Sequence, residues 1–306
     1  MDLSDTTVGW VFASAIFALG AAIGSFLNVV IYRIPHGLSI VRPGSRCPAC
    51  ETPIKAWHNV PIFGWCWLRG RCASCDIPIS PRYPLIELAM AGLAVALFHT
   101  FSGGLLTVDA VASSNFLLEV IVPFSLYLVF VSALVAVTFI DLDYFVIPDV
   151  ISKPGIPLGI CAAAVSGAAV GVTWQDALIG AAAGAGVILV IIYGYAAMTG
   201  RDGMGLGDYK LLGMIGAWLG WQVLPLVLLL SSLQGILLAL VFRRAFAVDQ
   251  LPPLPGEEDA VVEPVAEGVG QLAIPFGPFL SLAALEILYL RPEIDALLAT
   301  WLDFGP

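Results

Sequence analysis

Stretches of about twenty apolar residues, the length a helix needs to cross a bilayer core, recur along this chain and limit its folds more than any other feature. The windows lie near 8–31, 84–101, 117–140, 150–171, 176–198, 209–220, 222–242 and 272–290. In lipid, every backbone N–H and C=O must be satisfied within its own segment, so such windows form helices. The pattern predicts an all-α polytopic membrane protein of about eight transmembrane helices, or seven if the short sixth window merges with the next. Composition agrees: 59% of the residues are hydrophobic and only 12% are charged, against about 25% charged in a soluble domain. A net charge of −10 argues against nucleic acid as a partner, because phosphate binding draws on clustered Lys and Arg. The opening "MDLSDTTVGWVF" carries two acids and no base before the first apolar run. A cleavable signal has a basic n-region, so this run is read as an uncleaved span.

Thirteen Lys and Arg orient the chain. Arg33, Arg42, Arg46, Lys55, Arg69, Arg71 and Arg82 lie in or beside the loop after span one. Lys153, Arg201, Lys210, Arg243 and Arg244 lie near the loops after spans three, five and seven, and Arg291 alone falls on the other side. The positive-inside rule then places the N-terminus outside and the 34–83 loop in the cytoplasm. The expected organisation is a first span (1–33), a cytoplasmic loop domain (34–83), a transmembrane core (84–244), an acidic flexible loop (245–271), and a last span with its tail (272–306). No internal repeat is apparent. The fifth window, "ALIGAAAGAGVILVIIYGYAA", is rich in the small residues that let helices approach closely in lipid.

The 34–83 loop contains "CPAC" and "CASC". Two CxxC turns present four thiolates, Cys47, Cys50, Cys72 and Cys75, in the pattern that suits a tetrahedral structural zinc. A reducing cytoplasm disfavours disulfides there. Cys66, between Trp65 and Trp67, is read as a packing residue, and Cys161, within a span, as a small apolar one.

Ionisable groups at the membrane edge are costly and are functional candidates for that reason. "FIDLDYFVIP" closes the third window with Asp141 and Asp143, and "GMGLGDYKLL" opens the sixth with Asp208. With two spans between them, Asp141 and Asp208 reach the same face. Gly203, Gly205 and Gly207 strip side chains from the approach to Asp208, allowing close backbone contact; N-capping is the competing explanation of that aspartate. Asp149 reads as an N-cap and Asp202 as a solvated loop acid, with Asp143 in an assisting role. Two carboxylates in reach of each other share a proton more easily than both ionise. The charged one can take a proton from water while the neutral one polarises a peptide carbonyl.

Taken in order, "GSFLNVVIYRIP", the paired CxxC motifs, "RGRCASCDIPISPRYPLIE", "FIDLDYFVIPD", "GMGLGDYKLL" and "IPFGPFL" resemble the bacterial prepilin peptidases. These are also called type IV leader peptidases and are GxGD-type aspartic proteases of the inner membrane. The resemblance implies cleavage of the basic leader of type IV prepilins and type II secretion pseudopilins at the cytoplasmic face. It also implies N-methylation of the new terminus from S-adenosylmethionine. It assigns Asp141 and Asp208 as the catalytic pair and the four CxxC cysteines as the zinc set. Polar candidates for the methyl-donor pocket are Asn28 and Glu87, with helix–helix hydrogen bonding as their other reading. The chain departs from the family in its long acidic 245–271 insert. Three rivals stand beside this reading: a peptidase without methylation, a proton-coupled transporter, and a zinc-dependent assembly factor in which the carboxylates only cap helices.

Overall fold

The computed structural model describes residues 3–104, 111–200, 205–241, 275–291, 293 and 294. The 245–271 loop, Arg201, Asp202, Gly203, Arg243 and Arg244 lie outside them. Among the described residues the chain is helical and has no named strand. The helices are α1 (Leu3–Arg33), α2 (Phe63–Trp67), α3 (Arg82–Ser102), α4 (Val122–Tyr144), α5 (Asp149–Ser166), α6 (Trp174–Thr199), α7 (Asp208–Leu219), α8 (Leu224–Val241) and α9 (Gly277–Tyr289).

A helix falls on each of the eight apolar windows, yet among the described residues five membrane-length segments are both long and apolar enough to cross a bilayer. These are Thr7–Arg33, Arg82–Ser102, Leu117–Tyr144, Trp174–Thr199 and Leu224–Val241. The other three fall short for stated reasons. Helix α5 carries Asp149 and Lys153 at its start and Pro154 and Pro157 inside. Helix α9 has 13 residues. Helix α7 has 12 residues and at 1.5 Å per residue reaches only about 18 Å, well under a core of about 30 Å. Every residue of α7 from Leu211 to Leu219 is buried, so its apolar run faces protein. Five spans meet those demands among the described residues, and the expected eight are not established: a window of apolar residues does not distinguish a lipid-facing helix from one enclosed by protein.

The chain divides into two compact units, 1–136 with 164–171, and 137–163 with 172–306. In the first, α1 lies against α3 through Gly20 and Gly24. A Cβ on Gly20 would sit 2.7 Å from the Ala94 Cβ and 2.8 Å from the Met90 carbonyl oxygen, and one on Gly24 would sit 2.7 Å from the Glu87 Cα. Met90, Ala91, Ala94 and Leu97 fill the contact and are fully buried. Phe98 extends the packing, stacked on Phe12 at 6.2 Å and edge-on to Phe124 at 5.3 Å. Gly103, in the left-handed conformation at φ 68°, closes α3 and returns its amide to the His99 carbonyl.

In the second unit, α6 starts at a capping box between Thr173 and Asp176. Its small residues meet α7 backbone to backbone: a Cβ on Gly180 would strike the Gly216 carbonyl, one on Gly216 would strike the Gly180 carbonyl, and Gly184 faces Leu212. This close approach is what small residues supply where lipid offers no hydrophobic drive between helices. Against the same helix, α5 presents Gly155 to Met214 and Gly159 to Trp218, and the Trp218 indole donates to the Gly155 carbonyl at 2.9 Å. Helix α7 is thereby fixed at residues on several sides, which fixes the residue that begins it.

Candidate functional site

Asp208 is that residue. Gly207 precedes the helix as its N-cap and no side chain caps it, so the N-capping explanation of Asp208 is set aside: the aspartate is the first residue inside α7. Asp141 lies in the last turn of α4. Both are buried, at 5% and 6% exposure. Ile147 links their surroundings. A Cβ on Gly207 would lie 2.8 Å from the Ile147 Cβ, and one on Gly277 would lie 3.2 Å from its Cδ1. Gly277 is the first residue of α9, and its backbone amide donates to the Asp141 carboxylate at 3.0 Å. The N-terminal end of a helix carries partial positive charge, and the Asp141 carboxylate meets that end of α9. Gly205 lies near the Asp208 carboxylate, at 3.8 Å from its would-be Cβ. Asp143 is half-buried two residues beyond Asp141.

Asp149 does not cap α5. It is that helix's first residue, and its carboxylate pairs with Lys153 at 2.5 Å and with Lys210 of α7. Two lysines within reach hold the carboxylate as an acceptor for ammonium rather than for backbone amides. The segment after Asp141 is thus tied to the segment after Asp208.

The 34–83 loop forms a second constellation within the first unit. The Sγ atoms of Cys47, Cys50, Cys72 and Cys75 all lie within 4.8 Å of one another, with Cys47 to Cys75 at 3.8 Å and Cys50 to Cys72 at 4.0 Å. A tetrahedral ion with metal–sulfur bonds of about 2.3 Å sets its ligands about 3.8 Å apart, so the four thiols fit such an ion.

The two CxxC turns prove to be copies of one unit, against the expectation that the chain has no repeat. "RCPACETPI" (46–54) and "RCASCDIPI" (71–79) adopt the same hairpin. Arg46 bridges Pro53 as Arg71 bridges Pro78. The Cys47 amide donates to Thr52 and the Cys72 amide to Ile77, while Glu51 and Asp76 return theirs to the two cysteines. Glu51 and Asp76 share a left-handed backbone, φ 54° and 55°. Cys66, expected to pack, is exposed; its neighbour Trp65 takes the inward place and donates to the Ile79 carbonyl at 3.0 Å.

Asn28 and Glu87 are both engaged inside the first unit. The Asn28 amide donates to the Tyr83 carbonyl at 3.2 Å, joining α1 to α3. Glu87 accepts the backbone amide of Ile62 at 2.6 Å. Ile62 is a β-branched residue at φ 64°, a conformation that persists only where surroundings hold it. Gly277, Ile147, Asp149 and Lys210 lie in the quoted motifs, but their contacts around the site were not legible: a helix start such as the Gly-Pro of "IPFGPFL" does not name its partner along the chain.

Two buried carboxylates near helix ends, and a four-cysteine cluster earlier in the sequence, place the chain among helical membrane proteins with buried acids. Comparison with known proteins makes the class specific. The family model for the bacterial peptidase A24 N-terminal domain matches residues 18–101, and that for the type IV leader peptidase family matches residues 128–240. Similar proteins include the prepilin leader peptidase/N-methyltransferase of Aeromonas hydrophila, 37% identical over 90% of this chain and 89% of that one. The proteins so named from Myxococcus xanthus and Pseudomonas aeruginosa are 35% and 33% identical, over 95% and 94% of this chain and 93% and 92% of theirs. No solved structure matches the chain significantly. The chain belongs to the type IV leader peptidase family.

Proposed function

We propose that this protein removes the leader peptide of type IV prepilins and type II secretion pseudopilins, with Asp141 and Asp208 as the catalytic pair. The observation that carries the reading is the burial of these two carboxylates around Ile147, Asp208 as the first residue of α7 and Asp141 accepting from the first amide of α9, in a chain whose relatives bear the name prepilin leader peptidase/N-methyltransferase. The ionised carboxylate takes a proton from water as the water oxygen bonds to the scissile carbonyl carbon. The protonated partner donates to the carbonyl oxygen. The C–N bond then breaks and the departing amine takes up a proton, so no covalent enzyme intermediate forms. Gly205 and Gly207 leave room for substrate backbone, and Asp143 assists at the rim.

S-adenosylmethionine supplies the methyl group for the new N-terminus in this reading. Cys47, Cys50, Cys72 and Cys75 hold a zinc ion that ties the two hairpins together; a site with four protein sulfurs keeps no open position, so the zinc is structural. The chain lies in the inner membrane with eight helices as its topology, α7 being short and protein-enclosed, the 34–83 loop and both aspartates at the cytoplasmic face, and 245–271 as an acidic loop. A basic leader is drawn to that acidic mouth.

The test is purified protein in nanodiscs with a prepilin and a labelled methyl donor. Leader loss and a methylated N-terminus are expected from the unaltered protein, with leader loss abolished in Asp141→Asn and in Asp208→Asn at unchanged thermal stability. Cleavage at the unaltered rate in either variant would refute the mechanism.

A further inference from the structure

The segment 55–71, "KAWHNVPIFGWCWLRGR", has no acid and carries Lys55, Arg69 and Arg71, in a chain of net charge −10. Its aromatics divide sharply. Trp65 turns inward, its ring covered by Gly70 and its indole bonded to Ile79. Trp57, Phe63 and Trp67 point out, at 65%, 72% and 81% exposure. Phe63 and Trp67 are four apart on one helical turn and share a face. Lys55 lies over the Trp57 ring at 5.4 Å. Three aromatic side chains this exposed are not core residues of the loop.

Their depth follows from a single hydrogen bond. Ile62, adjoining Phe63, donates its amide to Glu87, which is five residues into α3 and so about 7.5 Å along it at 1.5 Å per residue. Gly24 of α1 packs on the Glu87 Cα, and Gly24 lies nine residues before the end of α1 at Arg33, about 13.5 Å back along that helix. The headgroup layer is only about 5–8 Å deep on each side. The segment therefore doubles back beside the two helices it connects, to the level where their membrane-crossing parts begin.

We propose that residues 55–71 form an interfacial anchor, with Phe63 and Trp67 seated at the headgroup–acyl boundary and Lys55, Arg69 and Arg71 on anionic headgroups. Aromatic side chains flanked by Lys and Arg have this preference. Positive charge without acids favours an anionic lipid surface over the basic leader of a substrate, which it repels. The anchor holds the cysteine hairpins down against the membrane, with Glu87 as the strut that sets the height of Ile62. The inference rests on reading α1 and α3 as spans.

Fluorine NMR of the full protein labelled with fluorotryptophan, in nanodiscs of phosphatidylcholine and phosphatidylglycerol in equal parts, tests it. Trp67→Phe and Trp10→Phe assign the two resonances. Trp10, exposed on α1, reports whether that helix is in lipid. Nitroxide-bearing lipid is expected to erase the Trp10 and Trp67 signals several-fold more than an aqueous gadolinium chelate does. A Trp67 signal erased mainly by the chelate, while Trp10 responds to lipid, overturns the anchor and leaves the spans intact; loss of the lipid response at Trp10 removes the span reading instead. A Trp67 signal untouched by both and shifted by added prepilin would make this face a substrate surface, and also overturns the proposal.

Discussion

The backbone amide of Gly277 donates to the carboxylate of Asp141 at 3.0 Å, joining residues 136 positions apart. A buried acid with one amide and the positive end of a helix for company keeps its orientation without a permanent counter-cation. A nearby lysine would fix the negative charge; an amide holds the side chain in place whether or not it carries a proton.

Gly277→Ala is expected to disable the centre from a residue that has no side chain. The new methyl would lie 2.5 Å from the Asp141 Oδ2 and 3.2 Å from its Cγ, so the carboxylate must turn or α9 must retreat. Displacements of about 1 Å at a reacting group cost roughly 100-fold. Leader cleavage should fall by that order, with insertion and thermal stability little altered. Cleavage within about twofold of the unaltered rate would show that the amide is incidental.

Lys210 and Asp149 are expected to couple the two aspartate-bearing segments. The lysine is 17% exposed and the aspartate 43%, so solvent screens the pair and its coupling should be modest, about 0.5–1 kcal/mol. Lys210→Glu should slow cleavage and lower thermal stability together. The exchange Asp149→Lys with Lys210→Asp should recover part of both. A double-mutant cycle with no coupling would reduce the pair to surface decoration.

The positions of the helices were legible because lipid forces apolar windows into helices, and the four cysteines because a metal's ligand spacing is local. What escaped was non-local or ambiguous. Asp149 precedes an apolar run, as an N-cap would, and only the fold brings Lys210 beside it. Cys66 sits among tryptophans that suggest a core, yet α2 is a single turn whose inward places go to Gly64 and Trp65. The repeat was hidden by differing residues, "CPACETPI" against "CASCDIPI", and appears once the shared hydrogen bonds and left-handed residues are seen. Whether α7 crosses the bilayer was not legible, because burial in protein and burial in lipid select the same residues.

Removing metal from the hairpins is expected to expose a thiol of unusual reactivity. The Thr52 hydroxyl and then its backbone amide hold the Cys50 thiol down to about 6. The Ile77 amide draws the Cys75 thiol the same way, but loss of water and the three neighbouring thiols outweigh it and push it up to about 12. A chelator should release one zinc per chain, read colorimetrically, as a four-cysteine site predicts. Iodoacetamide at neutral pH should then alkylate Cys50 well before Cys75, because thiolate is the nucleophile. The Cys50 rate should climb as pH rises through about 6 and level off above it. Peptide mapping that found Cys75 modified first, or no metal released, would contradict the arrangement.

The contact of α6 with α7 is expected to fail more abruptly than an ordinary packed interface. Gly180 and Gly216 each face the other's carbonyl, so a side chain at either position meets backbone, which cannot change rotamer to make room. Overpacking a core typically costs about 1–3 kcal/mol, and Gly216→Val should reach the upper part of that range. Because α7 begins at Asp208, the added volume also shifts the carboxylate: cleavage should be lost at temperatures where the helices are still folded. Gly194 is a control on α6, the helix of Gly180, since nothing lies within 4 Å of a Cβ built there, and Gly194→Ala should leave both stability and cleavage unchanged. Equal thermal stability in Gly216→Val and the unaltered protein, measured by unfolding in the same detergent, would mean that the two backbones are not in contact and that Asp208 is held by something else.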